Sequence, residues 1–508
     1  MTSTEDSLEQ VTSVSQLSDV QPDDWAFQAI QSLVERYGCV AGYPDGTFRP
    51  SRAMSRREAA ALVNACLDNL SNRFATKEDL DALKALQDEF AAELATLRGR
   101  VDGLEARVAT VEAQQFSTTT KLVGEVIFGS AYAIDRGGAD LTGPMNGFEE
   151  DRFFLAQRTR LNFDSSFTGS DRLRVRFDIN NVPNLGNSTS TNMSRLSFDG
   201  RGNTNVVLTE LNYQFKPAEN LKIKIDANAG EYQDNVDTLN PYLKSDGSGS
   251  LSRFGRFNPI FRQGGNGIGV TANWDITDQV ELSVAYLADQ GQNATGAGDD
   301  IANPRGGLIE GSYAALAQLV IEPIENAKFG LTYVRSFDEA GNVNVTSSTT
   351  TNNRQPFGNG LDTSADHLGF QTTIQAADWV NFSGWVGYTF ARTSQANATD
   401  DQSAEYLTWA GSLQFPDLGF EGNLGYVLFG QPYKIQSASS TIQNGVAGVL
   451  ANIDDANPGT SYHLEAGYKF RVNENIHITP GVIWILNPEH NNNNSDVIVP
   501  LVRTTFTF

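Results

Sequence analysis

The sequence predicts an antiparallel β-barrel of about 16 strands that crosses a membrane, preceded by a small helical unit and a coiled coil. Three observations lead to this prediction. Residues 117–508 alternate between apolar and polar side chains with period two, as half-buried strands do. Along that region short turns alternate with long polar loops, which is typical of membrane barrels. Residues 76–115 instead carry a heptad repeat, and residues 1–70 show helical spacing.

Charge and composition narrow the class further. The formal net charge of the 508 residues is −24, which argues against nucleic acid as a partner. No run of about 18 apolar residues occurs, so no transmembrane helix is expected. A barrel strand needs only about ten residues of alternating polarity, and such strands leave no long apolar run. Forty-six glycines and an aromatic content of 10% suit β-structure with many turns.

Residues 1–70 are predicted to form a small helical unit. Trp25, Ile30 and Val34 recur at helical spacing, and a turn rich in Gly and Pro follows at 42–46. A second helix is expected to begin at Ser55, where Glu58 three residues later completes a capping box.

The stretch 19–67 resembles an S-layer homology domain, most specifically through its DGTFRP turn and its SRRE motif. Members of that family bind pyruvylated polysaccharide attached to peptidoglycan. The resemblance implies a cell-wall glycan site made by Trp25, Asp45, Gly46, Arg49, Arg56 and Glu58. Ser55 and Arg57 depart from the usual Thr and Ala, and the pattern occurs once where the family commonly has three copies. The alternative is a core position for Trp25, with the arginines only solvated.

Two cysteines, Cys39 and Cys66, lie in this first unit. In an oxidising periplasm they are expected to form a disulfide that staples the unit together. Two buried free thiols are the alternative.

Residues 71–116 are predicted to be a coiled-coil stalk. Nine of ten a and d positions are apolar: Leu80, Gln87, Leu94, Val101 and Val108 at a, and Leu83, Phe90, Leu97, Leu104 and Val111 at d. Arg100 is followed by Glu105, and Arg107 by Glu112, a spacing that resembles a motif of parallel three-stranded coils. The stalk is therefore expected to form a homotrimer, with a dimer as the alternative.

Within 117–508, the segments 153–167 and 172–180 place charged and apolar side chains on opposite faces. One face, with Leu173, Val175, Phe177 and Ile179, is expected to contact outer-membrane lipid. The other face is expected to line a pore, and its charged members are Arg158, Arg160, Arg172, Arg174, Arg176, Glu210, Lys222, Lys224 and Asp226. Five arginines of one parity predict a basic wall that attracts anions.

The loop at 232–265 is among the longest and is the third on the long-loop side. Arg253, Arg256 and Arg262 make it a candidate constriction loop. Its phenylalanines, Phe254, Phe257 and Phe261, are expected to anchor it against the inner wall. An exposed lid is the alternative.

Together these parts resemble cyanobacterial outer-membrane porins that join an S-layer homology domain to a barrel of the carbohydrate-selective (OprB) porin family. The resemblance is carried by the DGTFRP and SRRE unit, by RFFLAQRTRLNF and RLRVRFDIN, and by SRFGRFNPIFRQ at 252–263. It implies a barrel in the outer membrane at 117–508, with domain 1–70 and stalk 71–116 in the periplasm. It also implies passive passage of ions and small polar solutes, carbohydrates among them, and tethering of the outer membrane to peptidoglycan. The alternatives are a mainly structural tether with a poorly conducting barrel, and an iron-uptake porin.

The sequence offers no catalytic constellation. Its four histidines, His367, His463, His477 and His490, are scattered without metal-ligand spacing. We therefore expect a protein that is not an enzyme and needs no cofactor or metal. Its expected partners are its own copies, peptidoglycan-linked polysaccharide, outer-membrane lipid, small solutes and ions.

Overall fold

The computed structural model describes residues 9–23, 25–43, 45–71, 77–115, 120–135, 153–200, 202–289, 291, 306–345, 355–357, 361–393, 402–439 and 459–508. The chain divides into two compact units, Met1–Glu112 and Ala113–Phe508. In these described ranges no helix is both long enough and apolar enough to span a membrane.

The first unit packs short elements around a small apolar core. Strand β1 (Glu9–Gln10) pairs antiparallel with β2 (Ala41–Gly42). A 3-10 turn covers Val14–Gln16, and α1 (Phe27–Gln31) runs into a π-helical turn at Ser32–Arg36. The buried side chains are Val11, Val14, Leu17, Val20, Ile30, Val34 and Val40.

Helix α2 (Arg56–Ser71) begins with the predicted capping box. The Ser55 backbone N–H donates to the Glu58 carboxylate at 2.7 Å, and the Glu58 N–H donates to the Ser55 hydroxyl at 3.2 Å. Two of the backbone N–H groups that a helix start leaves without partners are thereby satisfied.

Helix α3 (Lys77–Gln115) carries the heptad repeat. Its described a and d side chains are exposed along the single chain: Leu80, Leu83, Phe90, Leu94, Leu97, Val101 and Leu104. Such a stripe needs a partner to bury it. The side chains of Val108, Val111 and the Arg107–Glu112 pair lie outside the described ones, so the three-stranded coil stays a prediction.

The second unit is a closed antiparallel sheet. Its strands are β3 (Thr120–Ala131), β4 (Ile134–Asp135), β5 (Phe154–Ser165), β6 (Arg172–Asn180), β7 (Asn203–Ala218), β8 (Leu221–Gly230), β9 (Gly267–Thr277), β10 (Val280–Ala288), β11 (Tyr313–Ile324), β12 (Ala327–Asp338), β13 (Thr363–Ala377), β14 (Val380–Thr393), β15 (Gln402–Pro416), β16 (Leu424–Ala438), β17 (Tyr462–Arg471), β18 (Ile476–Leu486) and β19 (Val497–Thr507). β4 is a two-residue piece beside β19, so sixteen long strands form the barrel in the described part of the chain. The predicted strand number is confirmed.

The barrel closes where β19 pairs with β3. Gly124 and Phe508 exchange two backbone hydrogen bonds there, at 2.7 and 3.0 Å. The Phe508 ring lies over Gly124 and leaves no space for a Cβ at that position. A side chain at 124 would therefore displace the Phe508 ring from the seam.

Short helices occur in the connections, at α4 (Tyr232–Asn235) and α5 (Gly307–Glu310). Further 3-10 turns cover Leu185–Asn187, Asn192–Ser194, Phe254–Arg256, Pro259–Arg262 and Pro488–His490.

The register of β5 and β6 produces the two predicted faces. Opposite each other on one face lie Arg160 and Asp178, Asn162 and Arg176, and Asp164 and Arg174. On the alternate face the rings of Phe163 and Phe177 meet edge to face, with centroids 6.1 Å apart. Elsewhere the outer surface exposes an apolar band, including Leu331, Phe370, Val386, Val427 and Phe429. Apolar side chains point outward and polar ones inward, as a lipid-embedded barrel requires.

Candidate permeation path and cell-wall site

Residues 232–265, which we call the lumen loop, lie inside the barrel. Hydrogen bonds join this loop to strands on different sides of the closed sheet: Gln318 of β11 to the Asp237 carbonyl (2.7 Å), Asn258 to the Val386 carbonyl of β14 (3.1 Å), and Arg503 of β19 to the Gly249 carbonyl (2.6 Å). A segment that contacts strands all round a closed sheet occupies its interior. The exposed-lid alternative is therefore wrong.

The three phenylalanines of the lumen loop anchor it, as expected. Phe254, Phe257 and Phe261 are almost fully buried. The Phe254 ring lies 5.9 Å from Trp385 of β14 and 5.0 Å from His463 of β17, measured between ring centroids. Aromatic contacts of this kind add to the free energy gained by burying their area.

Two buried charges that the sequence reasoning missed hold the loop more firmly. The Glu465 carboxylate of β17 accepts hydrogen bonds from the Leu251 N–H (2.6 Å), the Ser252 N–H (3.2 Å), the Ser250 hydroxyl (2.9 Å) and the Tyr426 hydroxyl (2.6 Å). Arg503 donates to the loop carbonyls of Asp246, Gly249 and Ser250. Both side chains are fully buried, where hydrogen bonds to a charge are strong.

The predicted basic wall faces this loop. Arg158 meets Glu125 at 2.7 Å and Asp246 of the lumen loop at 3.0 Å. Arg160 meets the same Asp246 at 2.6 Å and Asp178 at 2.8 Å. One loop carboxylate thus joins two wall arginines, which fixes the distance between wall and loop.

The remaining wall residues are also balanced by acids. Arg174 makes a two-point contact with Asp164 at 2.7 and 2.8 Å, and Arg176 meets Glu210 at 2.7 Å. Lys224 lies 3.3 Å from Asp226 and 3.7 Å from Glu210. Arg172 forms no ion pair within the described residues, and its Nε atom is buried without a hydrogen-bond partner. The wall is therefore a mixed network of charges rather than the mainly basic surface that parity alone suggested.

A polar cavity of about 460 Å³ lies between the wall and the lumen loop. Its charged lining consists of the cations Arg160, Arg176, Lys222, Lys244 and Arg256 and the acids Glu231, Asp234, Asp237, Asp246 and Glu281. The structure brings the predicted residues Arg160, Arg176, Lys222 and Arg256 together here. Lys244 and the five acids of this lining were not among the predicted site residues, because nothing in their local pattern distinguishes them from other charged residues.

The first unit has a second cavity, of about 490 Å³, beside α2. Its lining includes the predicted residues Arg49 and Glu58, and also Tyr43 and Arg52, which the resemblance did not suggest. The Tyr43 hydroxyl donates to Glu58 at 3.0 Å, and the Arg49 guanidinium lies 4.7 Å from the centre of the Tyr43 ring. The Ser55 N–H and hydroxyl, with the Tyr43 hydroxyl, lower the pKa of Glu58 to about 2.

The other predicted glycan residues lie outside that cavity. Asp45 pairs with the cavity residue Arg49 at 2.5 Å. Gly46 adopts the positive φ of 74° that the turn needs. Arg56 is exposed at the start of α2. Trp25 is 95% exposed, so its alternative interpretation as a core residue is wrong.

The predicted disulfide is not present, because Cys39 and Cys66 are both free thiols. The Cys66 thiol donates to the backbone carbonyl of Cys39 at 3.4 Å, and Cys39 donates to the Tyr37 carbonyl at 3.6 Å. Burial, followed by the neighbouring Cys39, raises the pKa of Cys66 to about 12. A thiol held in its protonated form reacts slowly, because the thiolate is the nucleophile.

A sixteen-stranded barrel with an apolar outer band, a charged interior and an infolded loop defines an outer-membrane porin, a class of non-enzymatic channels. Residues 77–508 match the family described as carbohydrate-selective porin, OprB family, and residues 16–60 match the S-layer homology domain. The chain belongs to the OprB porin family and carries an S-layer homology domain.

Known proteins resemble different parts of the chain. An uncharacterised protein of Synechocystis sp. is 38% identical and covers 99% of this chain and 92% of its own length. The outer membrane protein SlpA of Thermus thermophilus is 38% identical over 20% of this chain and 12% of its own length. The structure of Pseudomonas putida OprB at high pH shares 13% identity, covering 78% of this chain and 96% of its own, with a TM-score of 0.45. The closed sheet itself, rather than that likeness, establishes the barrel.

Proposed function

We propose that this porin conducts inorganic ions and small polar solutes passively, along the polar cavity between the basic wall and the lumen loop. The cavity is the main support for this proposal, because ten charged side chains line it within a barrel whose outer surface is apolar. Charged and hydrogen-bonding groups at close quarters replace part of the hydration of a passing solute. Guanidinium groups also offer donors to sugar hydroxyls, in keeping with the carbohydrate-selective family.

Conductance across a planar lipid bilayer tests this proposal. The purified full chain should give stepwise currents in KCl, and liposomes containing it should swell in sugar solutions at rates that fall with sugar size. Currents without swelling would restrict the solutes to ions. A correctly folded protein that gives neither currents nor swelling would contradict the proposal.

One observation favours a second candidate, a structural tether whose barrel conducts poorly. The lumen loop is largely buried and contacts strands on different sides of the barrel. The same bilayer experiment separates the two candidates, since a tether would remain silent while still binding cell walls.

We further propose that the S-layer homology domain binds peptidoglycan-linked polysaccharide. Its cavity presents Arg49, Arg52 and Tyr43 together, a set that can pair with an anionic sugar substituent and stack on its ring. Arg49→Ala should therefore reduce sedimentation of the full chain with purified cell walls. Arg57→Ala, which removes an exposed arginine of α2 outside the cavity, is the matched control. Equal loss in both variants would assign binding to general positive charge.

Three chains joined through α3 would strengthen that attachment. In the proposed division, 1–70 binds the wall, 71–116 forms a three-stranded stalk and 117–508 forms the barrel. One weak site per chain, held at high effective concentration by a common stalk, gains avidity without new contacts. The exposed apolar stripe of α3 supports this arrangement. Wall binding by residues 1–70 alone, as tight as by the full chain, would contradict it.

A further inference from the structure

Four arginines gather beside the polar cavity, at one end of the lumen loop. Arg253, Arg256 and Arg262 belong to the loop, and Arg195 belongs to the preceding connection. The Arg253 N–H donates to the Arg195 carbonyl at 2.9 Å, and Arg262 donates to the Arg253 carbonyl at 2.8 Å. The Phe257 ring lies 5.0 Å from the Arg256 guanidinium and 4.5 Å from that of Arg262. One aromatic ring thus holds two like charges close together.

Carboxylates balance this group only in part, although Glu231 and Asp246 line the same cavity as Arg256. Asp199 pairs with Arg195 at 2.7 Å and lies 3.9 Å from Arg253. Among the ion pairs of the described residues, none includes Arg256 or Arg262. Within the described part of the chain, Arg256 donates to the Lys244 carbonyl at 2.8 Å, and the Nε atom of Arg253 is buried without a hydrogen-bond partner. The group therefore holds a buried guanidinium donor that no described residue satisfies.

Burial makes the excess charge costly. Arg256 is 7% and Arg262 5% exposed. Buried charges are normally paired, because an ion that leaves water loses its hydration and regains that free energy only through contacts with opposite charges and hydrogen-bond acceptors. Burial and then repulsion by Arg195 lower the pKa of Arg253 to about 10, and burial with Arg253 and Arg256 lowers that of Arg262. Burial and the nearby Asp234 raise the pKa of Glu231, whereas Arg253, Arg262 and Arg256 act to lower it.

We propose that these four arginines form an oxyanion-binding site, filled by inorganic phosphate or sulfate that enters from the polar cavity past Arg256. Planar guanidinium groups bind such anions at two points, whereas a halide offers a single acceptor. Binding needs only the folded barrel. The route of entry rests on the proposed function, because Arg256 lines the cavity through which solutes would pass.

Equilibrium dialysis of the full chain in detergent against radiolabelled inorganic phosphate at low ionic strength tests the site. The expected result is saturable binding of one phosphate per chain, weakened about tenfold or more in Arg256→Gln and Arg262→Gln by the loss of a charge-assisted hydrogen bond. Arg335→Gln is the matched control, because Arg335 pairs with Asp366 at 2.8 Å outside the cluster and should leave binding unchanged. Heat-modifiable electrophoretic mobility reports whether each variant folds. If Arg262→Gln does not fold, phosphate binding by Arg256→Gln, whose substitution lies at the cavity edge, tests the proposal.

Three outcomes overturn the inference: no phosphate binding by the folded wild type, equal binding by all three variants, or complete displacement of phosphate by an equal concentration of chloride. Conductance separates this inference from the proposed function. A silent barrel that binds phosphate would refute conduction and leave the site in place. A conducting barrel without phosphate binding would refute the site alone.

Discussion

Replacing Glu465 by Gln should release part of the lumen loop without unfolding the barrel. The carboxylate accepts hydrogen bonds from four groups, three of them in the loop: the Ser250 hydroxyl, which contacts both oxygens, and the N–H groups of Leu251 and Ser252. A Gln amide keeps one acceptor oxygen and turns its NH₂ group toward the remaining donors. With the NH₂ group at the Oε2 position, the Ser252 N–H and the Ser250 hydroxyl lose their contacts with that charged oxygen, at about 1.5–3 kcal/mol each. A loss of about 3 kcal/mol raises the equilibrium constant for local opening by about a hundredfold or more.

Trypsin measures this opening, because its cleavage sites in the loop are themselves held in the lumen. Lys244, Arg253, Arg256 and Arg262 become accessible only when the segment leaves its place, and cleavage then tracks the open population. Folded Glu465→Gln should be cut within 244–262 about a hundredfold faster than the wild type. Glu322→Gln, which removes an acid paired with Lys328 at 3.3 Å near a short turn, is the control. Equal cleavage rates in all three proteins would refute the argument that Glu465 holds the loop.

The other predictions concern charge selectivity, helix capping and the stalk. Arg176→Glu should shift the reversal potential in a KCl gradient toward cations more than Arg174→Glu does, because only Arg176 lines the cavity; equal shifts would contradict this. Ser55→Ala should lower the free energy of α2 opening by about 1 kcal/mol, measured by hydrogen exchange of its amides. Folding lowers the Glu58 pKa from 4.5 to about 2, so the start of α2 is stabilised above pH 4.5 and loses that stability as the pH falls toward 2. Glu58→Gln should abolish this pH dependence of α2 stability. A peptide of residues 76–115 should sediment as a trimer and its Leu97→Asp variant as a monomer, whereas a dimer would contradict the three-stranded assignment.

Local patterns determined the elements of this protein well. The alternation at 172–180 predicted β6, which spans Arg172–Asn180. The Ser55 and Glu58 spacing predicted the start of α2, because a capping box involves only residues three apart. Period two likewise separated the lipid face from the lumen face, since a strand has no other way to divide its side chains.

Partners from distant parts of the chain could not be predicted in this way. Asp246 lies on a loop whose position is not set by its own sequence, yet it joins Arg158 and Arg160. The alternation along its strand places Glu465 on the polar, lumen-facing side. It cannot predict that Glu465 contacts the lumen loop. Cys39 and Cys66 do approach each other, but their thiols are directed at backbone carbonyls, a choice that spacing does not reveal.

The closing seam between β3 and β19 bears on how the protein is made. Ile127 pairs with Thr505, so the two strands that complete the sheet come from opposite ends of the barrel sequence. Until they meet, each leaves a row of backbone groups without partners, which neither lipid nor a neighbouring strand can satisfy. Contacts between such remote segments form late, because the whole intervening chain must be ordered first. We therefore expect insertion into the bilayer to be close to all-or-none. Cellular assembly is expected to require a factor that covers the unpaired edges of β3 and β19 until Phe508 pairs with Gly124.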